Sequence, residues 1–237
     1  MITTAALCPA PPLLARELTG TDPVLPELRA ACLDATVALL SGEPDLVVVV
    51  GVAAETRAFD QRARLDLSVF APGASADSDG GSTPGLPSLP VALGLGARLL
   101  DQAGYAGRRQ LQSVGEREPA AVCAALGARL AGSASRVALL AMADGSARRG
   151  LKAPGYLDER SVPFDAVVER AIRAGDLNAL LAVDEVLSRE LMATGRACWQ
   201  VLAGAMSGSR SATQIRYCDD PFGVAYLVAS LTVASSA

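Results

Sequence analysis

The stretch RVALLAMADGSARRG, residues 136–150, decides how this chain is read. Its first half, Val137 to Met142, is a continuous apolar run with the length and composition of a buried strand. The run stops at Asp144-Gly145-Ser146, which breaks regular structure and offers a carboxylate, a hydroxyl and backbone N–H groups. Arg148 and Arg149 follow at once, then Lys152, the one lysine of the chain. In an α/β sheet, ligands bind in the crevice at the carboxyl ends of the strands, and this loop would stand there.

Working outward, apolar strand-like runs alternate with segments of helical periodicity. Residues 2–8 form a first strand ending in the Pro-rich turn 9–12, and residues 26–40 carry apolar side chains at helical spacing. Residues 45–51, with four consecutive valines, read as a central strand buried on both faces. Residues 65–70 read as a further strand, and residues 71–90 as a long mobile loop, an excursion rather than a flap. A helix over 91–103, a strand over 110–114 and a helix over 119–130 lead into the organising strand. The GLG at 94–96 does not follow a strand, so the dinucleotide-binding fingerprint fails on context. After residue 150 come a helix over 161–174 capped by Gly175, two short helices with Asp176 and Asp184 as N-caps, and an apolar helix over 196–206. That last helix carries the single tryptophan, Trp199, expected as a buried indole. Strands over 213–218 and 224–232 close the chain. The pattern is that of one α/β domain over 1–237, a three-layer α/β/α sandwich around a mostly parallel, mixed sheet.

Composition narrows the chemistry. Hydrophobic residues make up 51% and charged residues 19%, so a chain of 237 residues can bury a substantial core. A formal charge of −4 argues against a nucleic-acid partner, which would need a basic face. No apolar run is long enough to span a bilayer and the N-terminus lacks a basic leader, so the expectation is a soluble, cytoplasmic protein without a membrane partner. The five cysteines form no CxxC pair and are expected to be reduced.

The most telling count is zero histidines. This removes Ser-His-Asp and Cys-His nucleophile systems, His-ligated zinc and the two-His-one-carboxylate iron site.

Several segments carry a resemblance to a known family. CPAPPLL (8–14) resembles the PHPPLL-type opening of the class III extradiol dioxygenase catalytic subunits, the LigB-like superfamily. MADGSARR (142–149) is similar to that family's GDLSHR-type loop. APGY (153–156), PFD (163–165), GDLNALLAVD (175–184), WQVLAGAM (199–206) and DPFGVAYLV (220–228) follow in the family's order. The resemblance implies a non-haem Fe(II) held by two histidines and a glutamate, opening catechol-type rings with O₂, with a further histidine as acid–base catalyst. Carried over position by position, the first iron histidine falls at Ala10 and the second at Ala53 or Ala54. The acid–base histidine falls at Ala147, and the glutamate ligand around residues 194–196, where nothing is acidic. Alanine offers Fe(II) no donor atom.

The expectation is therefore a catalytically silent relative with no cofactor and no metal, keeping a cleft for a small molecule or a protein partner. Polar candidates for the cleft are Asp144, Ser146, Arg148 and Tyr156, with Glu55 in the loop after the valine strand. The arginines favour an anionic ligand, because guanidinium forks match carboxylate and phosphate. The alternative is an enzyme of changed chemistry, metal-free or with a carboxylate-only metal site at Glu55, Asp60 and Asp144. A third reading is a structural subunit whose cleft is filled by side chains. A homodimer is the default assembly.

Overall fold

The computed structural model describes residues 1–21, 24–67, 70 and 88–234. Seven strands form one sheet: β1 (Ile2–Cys8), β2 (Leu46–Ala53), β3 (Ala58–Phe59), β4 (Arg109–Gly115), β5 (Val137–Met142), β6 (Ser211–Asp219) and β7 (Tyr226–Val233). Their order across the sheet is β3-β4-β2-β5-β1-β7-β6. Strands β4, β2, β5 and β1 run parallel; β3 at one side, and β7 and β6 at the other, pair antiparallel.

The apolar runs form these inner strands because both faces of the sheet are covered. Along a strand, successive side chains point to opposite faces. Val48 and Val50 accordingly enter one core layer with Leu139 and Ala141, while Val47 and Val49 enter the other with Ala138 and Leu140. All four valines are fully buried. An alternating polar pattern would have placed a polar side chain in one of these layers at every second residue, unpaired and costly.

One layer contains α2 (Pro26–Leu40) and α3 (Val91–Gln102), joined near the N-terminus by the single turn α1 (Arg16–Thr19). The opposite layer contains α4 (Ala120–Ala131), α5 (Ser161–Ala174), α6 (Leu177–Leu181), α7 (Glu185–Glu190) and α8 (Arg196–Ala205). Asp176 and Asp184 cap α6 and α7, accepting hydrogen bonds from the Ala179 and Leu187 amides. Gly96 lets α3 lie close on the sheet, since a Cβ there would stand 2.5 Å from Val49 Cγ1, and Gly94 makes room for Leu65, whose Cβ would be 2.6 Å away. Their role is packing, which agrees with the failed dinucleotide fingerprint.

Helix α8 is buried along its whole length, including Arg196 and Gln200. Arg196 donates to the carbonyls of Glu116 and Glu118 and, at 2.9 Å, to Gln200 Oε1, so its charge is enclosed in a set of acceptors. Residues 194–196, where the resemblance implies a glutamate ligand, thus lead into a core helix held by an arginine.

The structure departs from the sequence reading in two places. No strand forms at 65–67; Leu65 makes one isolated bridge to Leu89, and Leu65 and Leu67 are buried as anchors against the α3 layer. The edge of β4 is taken instead by the two-residue β3. Of the loop expected over 71–90, residues 71–87 lie outside the described residues. Its end is a packed element, with Leu89 buried and Pro90 opening α3.

Helices α4 and α8 approach so closely that their contact is glycine on glycine. A Cβ on Gly204 would lie 2.2 Å from the Ala124 carbonyl oxygen, and one on Gly127 would lie 2.1 Å from that of Val201. Gly204→Ala should therefore destabilise the protein by about 3 kcal/mol, at the upper end for overpacking, despite alanine's better helix propensity. Gly132→Ala, where nothing lies closer than 3.5 Å and φ is −85°, should be neutral within about 0.5 kcal/mol. Urea denaturation of the two variants checks the contrast.

Candidate ligand site at the strand ends

Register places the carboxyl ends of the inner strands level with one another. Met142 at the end of β5 is paired with Gly51 of β2 on one side and with Cys8 of β1 on the other. Ala53 ends β2, Ala10 follows β1 by two residues, and Ala147 lies in the loop after β5. The three alanines thus stand on the ends of three neighbouring parallel strands, where an α/β sheet carries its chemistry.

Asp144 is the acidic side chain tied to this end. Its Oδ1 accepts the Ala10 amide at 2.8 Å, bridging β1 to the loop after β5. Enclosure by protein pushes its carboxyl up from 3.8 to about 6, against the opposing effect of the Ala10 hydrogen bond. The Asp144 carbonyl accepts the Gly195 amide at 2.8 Å, and a Cβ on Gly195 would stand 2.6 Å from that carbonyl oxygen. Helix α8 is thereby pinned against the loop.

Beyond Asp144 the loop is sewn to its surroundings. Ser146 is fully buried, and both its amide and its hydroxyl donate to the Asp165 carboxylate on α5. Burial raises the Asp165 carboxyl, while Ser146 and Arg149 oppose the shift. Arg148 Nε donates to the Gly155 carbonyl and its Nη1 to that of Glu190, each at 2.8 Å. Gly145 and Arg149 donate to the carbonyls of Ala225 and Gly223, and Ala225 donates back to Ser146. Tyr156 is 61% exposed, with a φ of 60°, and Glu55 is exposed beyond β2. The structure therefore spreads the five sequence candidates over separate roles, and Arg148 acts as a strap between two loops.

A cavity of about 200 Å³ opens beside this loop, between α5, α8 and the turn joining β6 to β7. None of the five candidates lines it; Arg149, Asp165, Asp220, Trp199, Tyr226 and Val168 are among its walls. Arg149 makes ion pairs with Asp220 at 2.6 Å and with Asp165 at 3.5 Å. Trp199 is 2% exposed, stacks obliquely on Phe164 with centroids 6.4 Å apart, and its Nε1–H has no acceptor among the described residues. Arg149 and Trp199 were visible in the sequence as residues, yet Asp165 and Asp220 gave no local signal of their participation. Both sit in the PFD and DPFG segments of the family resemblance, which is where a search could have begun.

The donor set does not fit the iron that the resemblance implies. Alanine occupies Ala10, Ala53 and Ala147, and the chain has no histidine. Among the described residues no group of three or more Cys, Asp or Glu side chains could hold a metal ion. The proposed carboxylate trio is not assembled: Asp60 is bound by Arg62 two residues on, at 2.7 Å, and Glu55 is exposed. Burial pushes the Cys123 and Cys198 thiols above the ordinary thiol value, and Cys8 is raised as well. In Cys8 the hydrogen bond linking it with Cys32 is the largest cause.

No known family description matches the chain, and no curated protein matches it. A crystal structure of an uncharacterized protein from Escherichia coli K12 is similar in fold. It has a TM-score of 0.56 and 13% sequence identity, covering 97% of this chain and 99% of that one. This likeness supports a compact α/β fold and carries no function. Among the described residues no helix is long and apolar enough to cross a membrane.

Two measurements follow from this geometry. The Asp144 carboxyl holds its proton more tightly in the native state than in the unfolded chain, where its value is near 3.8. Its contribution to stability is then fully present below about pH 4 and is lost as pH rises through about 6. Asp144→Asn keeps an acceptor for the Ala10 amide and removes the titration. The variant should gain about 1–3 kcal/mol relative to the parent between pH 4 and pH 7, read from denaturation midpoints across that range. Trp199 should emit in the blue-shifted range of a buried indole, and Trp199→Ala should cost about 3–5 kcal/mol in the same assay.

Proposed function

We propose that this protein is a catalytically silent relative of the class III extradiol dioxygenases, a scaffold that keeps a small-molecule cavity and has lost iron chemistry. The observation that carries the reading is the alanine at each of Ala10, Ala53 and Ala147, at or just beyond the carboxyl ends of three adjacent parallel strands, in a chain without histidine. Support comes also from the order of the resembling segments, which spans most of the chain. With neither imidazole donors nor an acid–base histidine, O₂ and a catechol have no shared centre at which to exchange electrons. The remaining polar groups of the Asp144 loop hold backbone and neighbouring loops together. The cavity beside the loop favours ligand binding over a purely structural role, in which side chains would fill the space.

The test is anaerobic incubation with Fe(II), desalting, metal quantification and oxygen uptake with several catechols. The expected result is far less than one iron per chain and no uptake above the protein-free control. One tightly held iron per chain with turnover would overturn the reading. Ala10→His alone should restore nothing, because a single ligand does not make a facial triad.

A further inference from the structure

We propose that the apolar surface around the 150–157 loop is the face through which this protein pairs with a second copy of itself about a two-fold axis. The inference goes beyond the silent-relative reading and does not rest on it.

Three segments, 148–160, 189–192 and 219–223, build this surface, and the backbone fastens them together. The Gly155 amide donates to the Ala147 carbonyl, the Ala147 amide to that of Leu191, and the Arg149 amide to that of Gly223. Close packing continues the join: a Cβ on Gly155 would lie 2.5 Å from Met192 Sδ, and one on Gly223 would lie 2.6 Å from Ala153 Cβ. On this frame Leu151, Tyr156, Leu157, Met192 and Phe222 are each at least 40% exposed. They are five of the twelve large apolar side chains exposed among the described residues, so apolar exposure is gathered here and not scattered singly. Tyr156 and Met192 have φ of 60° and 56°, a left-handed conformation that bulky residues rarely adopt. Their amides donate to the Ala153 and Arg189 carbonyls, so a fixed backbone presents both side chains to solvent.

Charge identifies the occupant. The three segments carry five basic and five acidic residues, in a chain of net charge −4. A face for a strongly charged partner would carry an excess of one sign, whereas a face that meets its own copy must be balanced or it repels itself. Within the protomer Arg160 is matched by Asp158 and Glu190, and Arg149 by Asp220. Lys152 and Glu159 are exposed and make no ion pair among the described residues. A two-fold contact, in which residue i meets j and j meets i, sets Lys152 against Glu159 of the partner subunit and repeats the pair on the other side of the axis. Size agrees: all residues of the three segments except Ala153 and Leu191 are at least partly exposed, twenty in number, against about 20–30 per side in a standard interface. Tyrosine, phenylalanine and methionine are also the residue types enriched at the centre of such interfaces.

Sedimentation velocity of the full chain over about 1–100 μM should show a dimer, or a monomer–dimer equilibrium shifting with concentration. Leu151→Asp/Tyr156→Asp should weaken association at least about tenfold, because it puts charge into the apolar centre. Lys152→Glu should weaken it several-fold by facing Glu159 of the partner subunit with a like charge, and the swap Lys152→Glu/Glu159→Lys should recover most of the loss. Val37→Asp, at a 54% exposed position of α2, should leave association unchanged. Every change is at an exposed side chain, so far-UV circular dichroism should match the parent. The charge variants decide the matter if the aspartate pair fails to fold.

A parent chain that stays monomeric at about 100 μM would overturn the proposal. A dimer that survives Leu151→Asp/Tyr156→Asp would do the same, since its interface would lie elsewhere. Lys152→Glu without effect, or a swap that recovers nothing, would overturn the pairing of Lys152 with Glu159. The iron and oxygen-uptake assay fails or succeeds independently of assembly, so the two readings fall separately.

Discussion

A mostly parallel sheet covered on both faces leaves little room for polar side chains along its inner strands, and the rest of this molecule follows from that constraint. Every side chain of β2 from Leu46 to Val50 enters one core layer or the other. Polar groups are thereby displaced to the carboxyl ends, where backbone amides and loop side chains are free to combine. The level register of Cys8, Met142 and Gly51 makes those ends a single rim.

On that rim the loop after β5 has the composition of a site and the bonding of a joint. Asp144 reaches back to β1, Ser146 is clamped by α5, Arg148 straps two loops, and residues 145–149 run beside 223–225. Each of these groups would be expensive to bury alone, and each is answered by a partner from a different element. Groups of the kind that hold ligands here hold the fold, and the open space lies one step to the side, against Trp199 and the β6–β7 turn.

Counting arginines along residues 136–150 suggests an anion site, but a charge acts through what surrounds it. Arg148 spends its donors on carbonyls, and Arg149 is already paired with Asp165 and Asp220.

Much of the fold was legible in the sequence because it is local. Strand and helix positions follow from periodicity, the α6 and α7 caps from Asp176 and Asp184, and the both-face burial of β2 from its four valines. The absence of imidazole chemistry is likewise a property of composition alone. What the tertiary structure decided is every pairing between distant segments: Ser146 with Asp165, Arg149 with Asp220, Ala10 with Asp144, and the fate of Leu65 as an anchor instead of a strand. Periodicity reports which face of an element is apolar, but the partner that a buried polar group or a spare strand edge will meet depends on how whole elements dock. That is set by packing of the two core layers, and no local pattern encodes it.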